Sequence, residues 1–174
     1  MKYSVIFNIF SLKSLLKYKL FFLLAILGVF SSNIAFSQTN VEAIFGEHTL
    51  NENFSPNPYI LDGVSGGNTQ GNTITNREST FTGSCNGYMQ SQPDYEIILN
   101  ESFEQLSMEV ISEVDTTLIV QGVDGGVWCN DDYGESTQPQ NPRLDGSWNA
   151  GNYRVWVGSY SQNSYHPYQL RISR

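Results

Sequence analysis

Gly151-Asn152-Tyr153-Arg154-Val155-Trp156-Val157-Gly158-Ser159-Tyr160 is the stretch that decides the fold. Tyr153, Val155 and Val157 alternate with Arg154, Trp156 and Gly158. Successive side chains of an extended chain point to opposite faces, so this period of two predicts a strand with one set turned inward. β-Branched and aromatic residues suit such a pleated, half-buried surface. Toward the C-terminus, Gln162-Asn163-Ser164 is turn chemistry, and Tyr168, Leu170 and Ile172 alternate with Gln169, Arg171 and Ser173. The two strands are expected to pair as a terminal hairpin. Pro167 then stands at the start of the last strand, where its missing N–H does least harm.

The same period extends upstream. It runs through Tyr95/Ile97/Leu99, Leu106/Met108/Val110, Leu118/Val120, Val127/Cys129 and the Leu144–Trp148 stretch. Pro93-Asp94, Asp124-Gly125-Gly126, Asp145-Gly146 and Asn149–Asn152 separate these runs with turn residues. No segment carries a convincing 3.6-residue stripe. Seven or eight short strands, spaced by about ten residues, predict an all-β chain built as an antiparallel two-sheet sandwich or barrel. Residues 62–79 are rich in Gly, Asn and Thr and read as a long loop. Residues 38–58, with Pro56 and Pro58, read as an extended lead-in, which sets the domain at 59–174.

Charge divides the chain in two. Residues 1–37 hold all four lysines and no acid; the rest holds all 17 acids, five arginines and no lysine, a net charge of −12 with both histidines neutral. Nucleic-acid binding needs clustered Lys and Arg on phosphates, so nucleic acid is excluded as a partner. Schiff-base chemistry and the phosphate-loop lysine are excluded as well. The length after residue 37 suits one domain with one core.

The front segment has the pattern of a secretory signal. Lys2, Lys13, Lys17 and Lys19 precede the apolar run Phe21–Phe30, and Ala35-Phe36-Ser37 follows as a small-x-small site, with cleavage expected after Ser37. A membrane anchor would need roughly 20 apolar residues. The mature chain is therefore expected to be secreted, periplasmic or at the cell surface, without membrane insertion. In an oxidising compartment Cys85 and Cys129, 44 positions apart, read as one disulfide. It would contribute about 3–4 kcal/mol through the unfolded state. The alternative is two free thiols, one a nucleophile, but the acidic surroundings disfavour thiolate.

Two stretches resemble a known family. Asp115-Thr116-Thr117-Leu118, the Asp124-Gly125 turn and Asn130-Asp131-Asp132 are similar to the D-T-x-L strand, D-G turn and N-D-D ending of the bacterial pre-peptidase C-terminal domain and its stand-alone secreted relatives. Gly151-Asn152-Tyr153-Arg154-Val155-Trp156-Val157 resembles its P-G-x-Y-x-V-x-V segment, with Ala150 where the family has proline. The resemblance covers residues 95–174 and extends more loosely to Phe54. It implies a jelly-roll-like β-sandwich acting as an accessory module, some relatives of which bind calcium or a matrix polymer such as collagen. No protease precedes the domain here, which leaves guidance of a protease in the same chain unsupported. The Cys85/Cys129 pair and Cys85-Asn86-Gly87-Tyr88 look like a subgroup feature.

Four aspartates form the sharpest constellation: Asp115, Asp124, Asp131 and Asp132. Calcium takes six to eight oxygens on loops that can wrap it. Asp115 opens one predicted strand and Asp131/Asp132 close the next, so antiparallel pairing would converge them, with Asn130 and Glu135 to complete the shell. The competing reading is turn capping, the commoner role of aspartate. Zinc does not fit, because His48 and His166 lie 118 positions apart.

Gly63-Val64-Ser65-Gly66-Gly67 fits G-x-S-x-G, yet a nucleophile elbow needs a strand, a sharp turn and a helix, and none is expected there. Glu96, Glu109 and Glu113 offer carboxylates for a small hydrolase, but nothing selects a catalytic pair. Trp156 beside Arg154, and the loop residues Tyr160 and Tyr165, form a candidate ligand platform of exposed aromatic faces; the alternative places the tryptophans in the core. The sequence thus reads as a secreted non-catalytic binding or accessory module for an extracellular polymer or protein, with calcium as the one candidate cofactor. A small secreted hydrolase and an envelope-exposed adhesion or structural protein are the alternatives.

Overall fold

Alternation makes strands, and in this chain it makes two sheets that share one interior. The computed structural model describes residues 42–122, 124–134 and 140–174. They belong to one compact unit, Asn40–Arg174. The basic and apolar front segment and its cleavage site lie outside the described residues.

The first sheet is built on β12 (Gly151–Ser159). One edge of β12 pairs antiparallel with β9 (Thr116–Gly122), which in turn pairs with β10 (Val127–Asn130). β12 also pairs with β7 (Tyr95–Leu99) and, through Ser159 and Tyr88, with β6 (Tyr88–Met89). β1 (Glu47–Leu50) adds parallel to β7, and β3 (Thr69–Gln70) adds antiparallel to β6. The second sheet runs β11 (Arg143–Trp148), β8 (Phe103–Ile111), β13 (His166–Ser173), β2 (Tyr59–Ser65). A small hairpin, β4 (Ser79–Thr80) and β5 (Gly83–Ser84), and one helix, α1 (Gly71–Thr75), complete the described elements.

The protein is an all-β sandwich. Seven strands have five or more residues, close to the number the periodicity predicts, and the others are short additions at the edges. Tyr95, Ile97, Leu118, Val120, Val155 and Val157 of the first sheet meet Leu106, Met108, Val110, Leu170 and Ile172 of the second in one core. Each of those positions is an inward residue of the alternation. Burying such a side chain stabilises by about 1.5–3 kcal/mol relative to exposure.

Three expectations are corrected. The terminal hairpin does not form: β13 pairs with β2 and β8 in the second sheet, while β12 lies in the first, so the chain crosses the sandwich between Tyr160 and Tyr165. Residues 62–79 are not one loop. Their first part completes β2, whose inward positions are Tyr59, Leu61, Gly63 and Ser65, so within residues 62–65 no inward position is a large apolar residue. Gly63 pairs with Tyr168, and a Cβ there would lie 2.5 Å from the Tyr168 ring. Its role is to admit that ring rather than to loosen a loop. Third, the 38–58 stretch contributes β1, and Leu50 and Phe54 are buried in the core, so the sandwich begins upstream of residue 59.

The first sheet is covered on its outer face too. Ile119 and Trp156 point away from the core and pack with Cys85, Met89 and Cys129 in a second, smaller cluster, with Ile74 of α1 against it. Cys85 and Cys129 are disulfide-bonded, Cα to Cα 5.0 Å, and among the described residues there is no free thiol. No helix of the described residues is long and apolar enough to cross a membrane.

Candidate functional site

The β9–β10 register places the acidic residues. Asn130 pairs with Leu118, so Asp131 and Asp132 run on toward the beginning of β9, just ahead of which Asp115 stands. The three carboxylates converge: one oxygen from each lies within 4.8 Å of the others. Oδ1 of Asp115 and Oδ1 of Asp131 are shielded from solvent and accept no hydrogen bond among the described residues. Asp131 Oδ2 accepts the Asn86 amide at 3.2 Å. Burial, then the neighbouring Asp131 and Asp132 charges, push the Asp115 carboxyl above the usual range. Burial and Asp132 push Asp131 up, against the Asn86 bond that opposes it. Three hard oxygens that repel one another, two of them shielded and unbonded, suit a hard cation, and calcium is held by such sets.

The other members of the predicted set fall elsewhere. Asp124 lies at the opposite end of β9, about 20 Å away at roughly 3.3 Å per strand residue. Its Oδ1 accepts the Gly126 N–H at 3.1 Å, so Asp124 caps the β9–β10 turn and is removed from the metal set. Asn130 is committed as well: its amide donates to Thr82 O at 2.9 Å and its Oδ1 accepts the Arg143 N–H at 3.0 Å. Glu135 lies outside the described residues. Neither Asp115 nor Asp132 accepts a turn-capping bond among the described residues.

The predicted ligand platform does not assemble. Trp156 is only 4 % exposed and sits in the second cluster against the disulfide, so it offers no face to a ligand. Its outward direction follows the alternation; it is enclosed in a cluster with the Cys85–Cys129 disulfide, Met89 of β6 and Ile74 of α1. Arg154 shares that face and is half-buried, with Nε unpartnered among the described residues. Tyr160 is 63 % exposed and borders a concavity of about 340 Å³, whereas Tyr165 is exposed on the crossing loop and borders neither that concavity nor its neighbour.

The catalytic candidates do not converge either. Ser65 is buried inside β2, its Oγ 2.9 Å from Ser159 Oγ and 3.2 Å from His166 O. Glu96 lies on β7 and Glu109 on β8, in different sheets, and Glu113 is exposed beyond β8.

One carboxylate was hidden in a predicted turn. Asp94 is 3 % exposed. It accepts the Val157 N–H at 2.7 Å and the Tyr168 hydroxyl at 3.1 Å, so it joins the two sheets from inside. Burial raises its pKa to about 7, although both hydrogen bonds pull the other way. Burial and the adjacent carboxylate push the Tyr168 phenol up in turn. Perturbed acids often mark active sites. Asp94 is instead enclosed between sheets and fully used by structure.

An all-β sandwich with a carboxylate trio at one loop end is thus the class that fold and site define. No family model matches this chain. An uncharacterized protein of Synechococcus elongatus is 30 % identical over 91 residues, covering 50 % of this chain; the chain spans 63 % of that relative's length. Among solved structures, the pre-peptidase C-terminal domain of a collagenase from Bacillus anthracis matches 73 % of this chain and 94 % of that one, with a TM-score of 0.42 and 10 % identity.

Proposed function

We infer that the protein is an extracellular, non-catalytic binding module whose acidic loop end takes calcium. The observation that carries this reading is the trio Asp115, Asp131 and Asp132, with two shielded, unbonded carboxylate oxygens. A hydrogen-bond donor or a cation is what such oxygens lack, and calcium would supply the cation, tying the loop after β10 to the lead of β9. That loop borders the Cys85–Asn86 segment through the Asn86–Asp131 bond, so the ion would stiffen the rim on which a partner docks. The closed disulfide supports an oxidising compartment. An extracellular polymer or a secreted protein is the partner class. The test is the melting midpoint of the disulfide-bonded protein in calcium and in chelator. A rise in calcium that Asp131→Asn and Asp132→Asn abolish supports the site. Equal midpoints would return the trio to plain surface acids.

A further inference from the structure

We propose that the trough between β3, β6, α1 and the 160–162 turn binds a neutral carbohydrate, which deepens the binding-module reading and rests on it. Two concavities, about 340 and 520 Å³, share Gln70 and Tyr88 and so form one trough of the size of ligand sites, about 300–1,000 Å³.

Its walls carry no acid and no base. The polar lining is five amides, Asn68, Gln70, Asn72, Asn86 and Gln162, with threonine hydroxyls between them. In a chain with 17 acids and no lysine after residue 37, a concave surface of this size without a charge selects against ionic ligands. Amides offer both a donor and an acceptor, which matches sugar hydroxyls, themselves both.

The amides are oriented by the protein. Asn72 donates to Glu78 at 3.2 Å and Asn86 to Asp131 at 3.2 Å; Gln70 donates to the Tyr88 hydroxyl at 3.3 Å and Gln162 to Asn68 O at 3.3 Å. Their nitrogen ends are engaged, and the carbonyl oxygens of Gln70, Asn86 and Gln162 accept no hydrogen bond among the described residues. Prepaid orientation of this kind lowers the cost of binding. Tyr160, mostly exposed, supplies an aromatic face for the C–H side of a sugar ring.

The floor is rigid. Cys85 lines it and is disulfide-bonded to β10. Gly87, at φ +88°, lies so close to Thr117 that a Cβ would strike its side chain. A peptide partner would ask for apolar pockets for its side chains, and a nucleic acid for cations; the trough offers neither.

Affinity electrophoresis tests this with the disulfide-bonded protein in gels containing a soluble cellulose ether, a xylan, a galactomannan or starch, with gelatin and an acidic polysaccharide as the other arms. The expected result is retardation by at least one neutral glycan, weakened at least tenfold by Tyr160→Ala and by Gln70→Ala. Tyr165→Ala should leave it unchanged. An unchanged melting midpoint for Tyr160→Ala separates lost contact from lost fold. Retardation by gelatin or the acidic polymer alone would overturn the carbohydrate assignment and leave the binding-module reading standing. Retardation by a neutral glycan that survives both trough variants would overturn this site. No retardation in any gel would overturn the carbohydrate assignment, while the calcium melting test decides the binding-module reading separately.

Discussion

Asp94 and the Asp115/Asp131/Asp132 trio are two ways to keep carboxylates away from water. Asp94 is alone, almost fully enclosed, and supplied with donors from both sheets. The trio is less enclosed, yet two of its shielded oxygens have no donor. Burial dominates the upward pKa shift at Asp94, at Asp115 and at Asp131, so depth alone does not separate structural from binding acids. The separation lies in what meets the lone pairs. Where the chain meets them itself, the acid is structural; where it leaves them unmet and brings like charges together, the proposed cation would supply what the chain does not.

The largest expected effect breaks this comparison on the Asp94 side. Its folded pKa, about 7, lies above the ordinary 3.8. The folded state then holds a proton that the unfolded state has released. The stability from Asp94 is complete below about pH 4 and is lost as pH rises through about 7, up to roughly 4 kcal/mol for a shift of roughly three units. Urea unfolding of wild type and Asp94→Asn across that window should show wild type losing stability relative to the variant as pH rises. Parallel profiles would mean that the enclosed carboxylate titrates normally. Asp94→Ala should cost about 3 kcal/mol at low pH, because the Val157 N–H and Tyr168 hydroxyl lose their acceptor.

Calcium sharpens the other side. Near 100-fold saturation the ion should stabilise by about 2.7 kcal/mol. The raised carboxyls of Asp115 and Asp131 make the calcium-free fold more stable at low pH, and protons compete with the ion there. The calcium-induced rise in the melting midpoint should therefore be largest at neutral pH and fade toward about pH 4. In chelator, Asp131→Asn should melt at or above wild type, since it removes a crowded charge. A loss of similar size in chelator and in calcium would instead describe a hydrogen-bonding turn residue.

Asp124 is the internal control and the smallest effect. Asp124→Ala removes one turn cap and should cost about 1 kcal/mol by urea unfolding, the same with and without calcium. A calcium-dependent cost would put Asp124 back among the ligands.

The core was legible because it depends on local alternation. Tyr153/Val155/Val157 and Leu106/Met108/Val110 are inward in the sequence pattern and buried in the fold. The trio was legible because one antiparallel pairing converges it. Pairings between distant strands were not. Nothing near Tyr168 says that it joins β2 rather than β12, and β2 hides its period because glycine and serine take two of its inward positions. Asp94 looked like a turn residue beside Pro93; its burial depends on a tyrosine 74 positions away. Trp156 failed as a ligand residue because alternation tells which face a side chain takes, not what covers that face. The covering layer could have been suspected from Cys85, since a bond to Cys129 draws the 71–89 region over β9 and β10. Trp156→Ala should then destabilise the fold by about 3–5 kcal/mol, as truncation of a buried aromatic does.

The disulfide also closes a covalent ring through the backbone from Cys85 to Cys129, and β6, β7, β8 and β9 lie within it. Asn100, Glu101 and Ser102, exposed between β7 and β8, are part of that ring. A single peptide-bond cleavage there opens the ring without releasing a fragment: the chain gains two ends and remains one molecule. A second cut inside the ring, or reduction of the disulfide, would then release a piece of the sandwich that the first cut leaves attached.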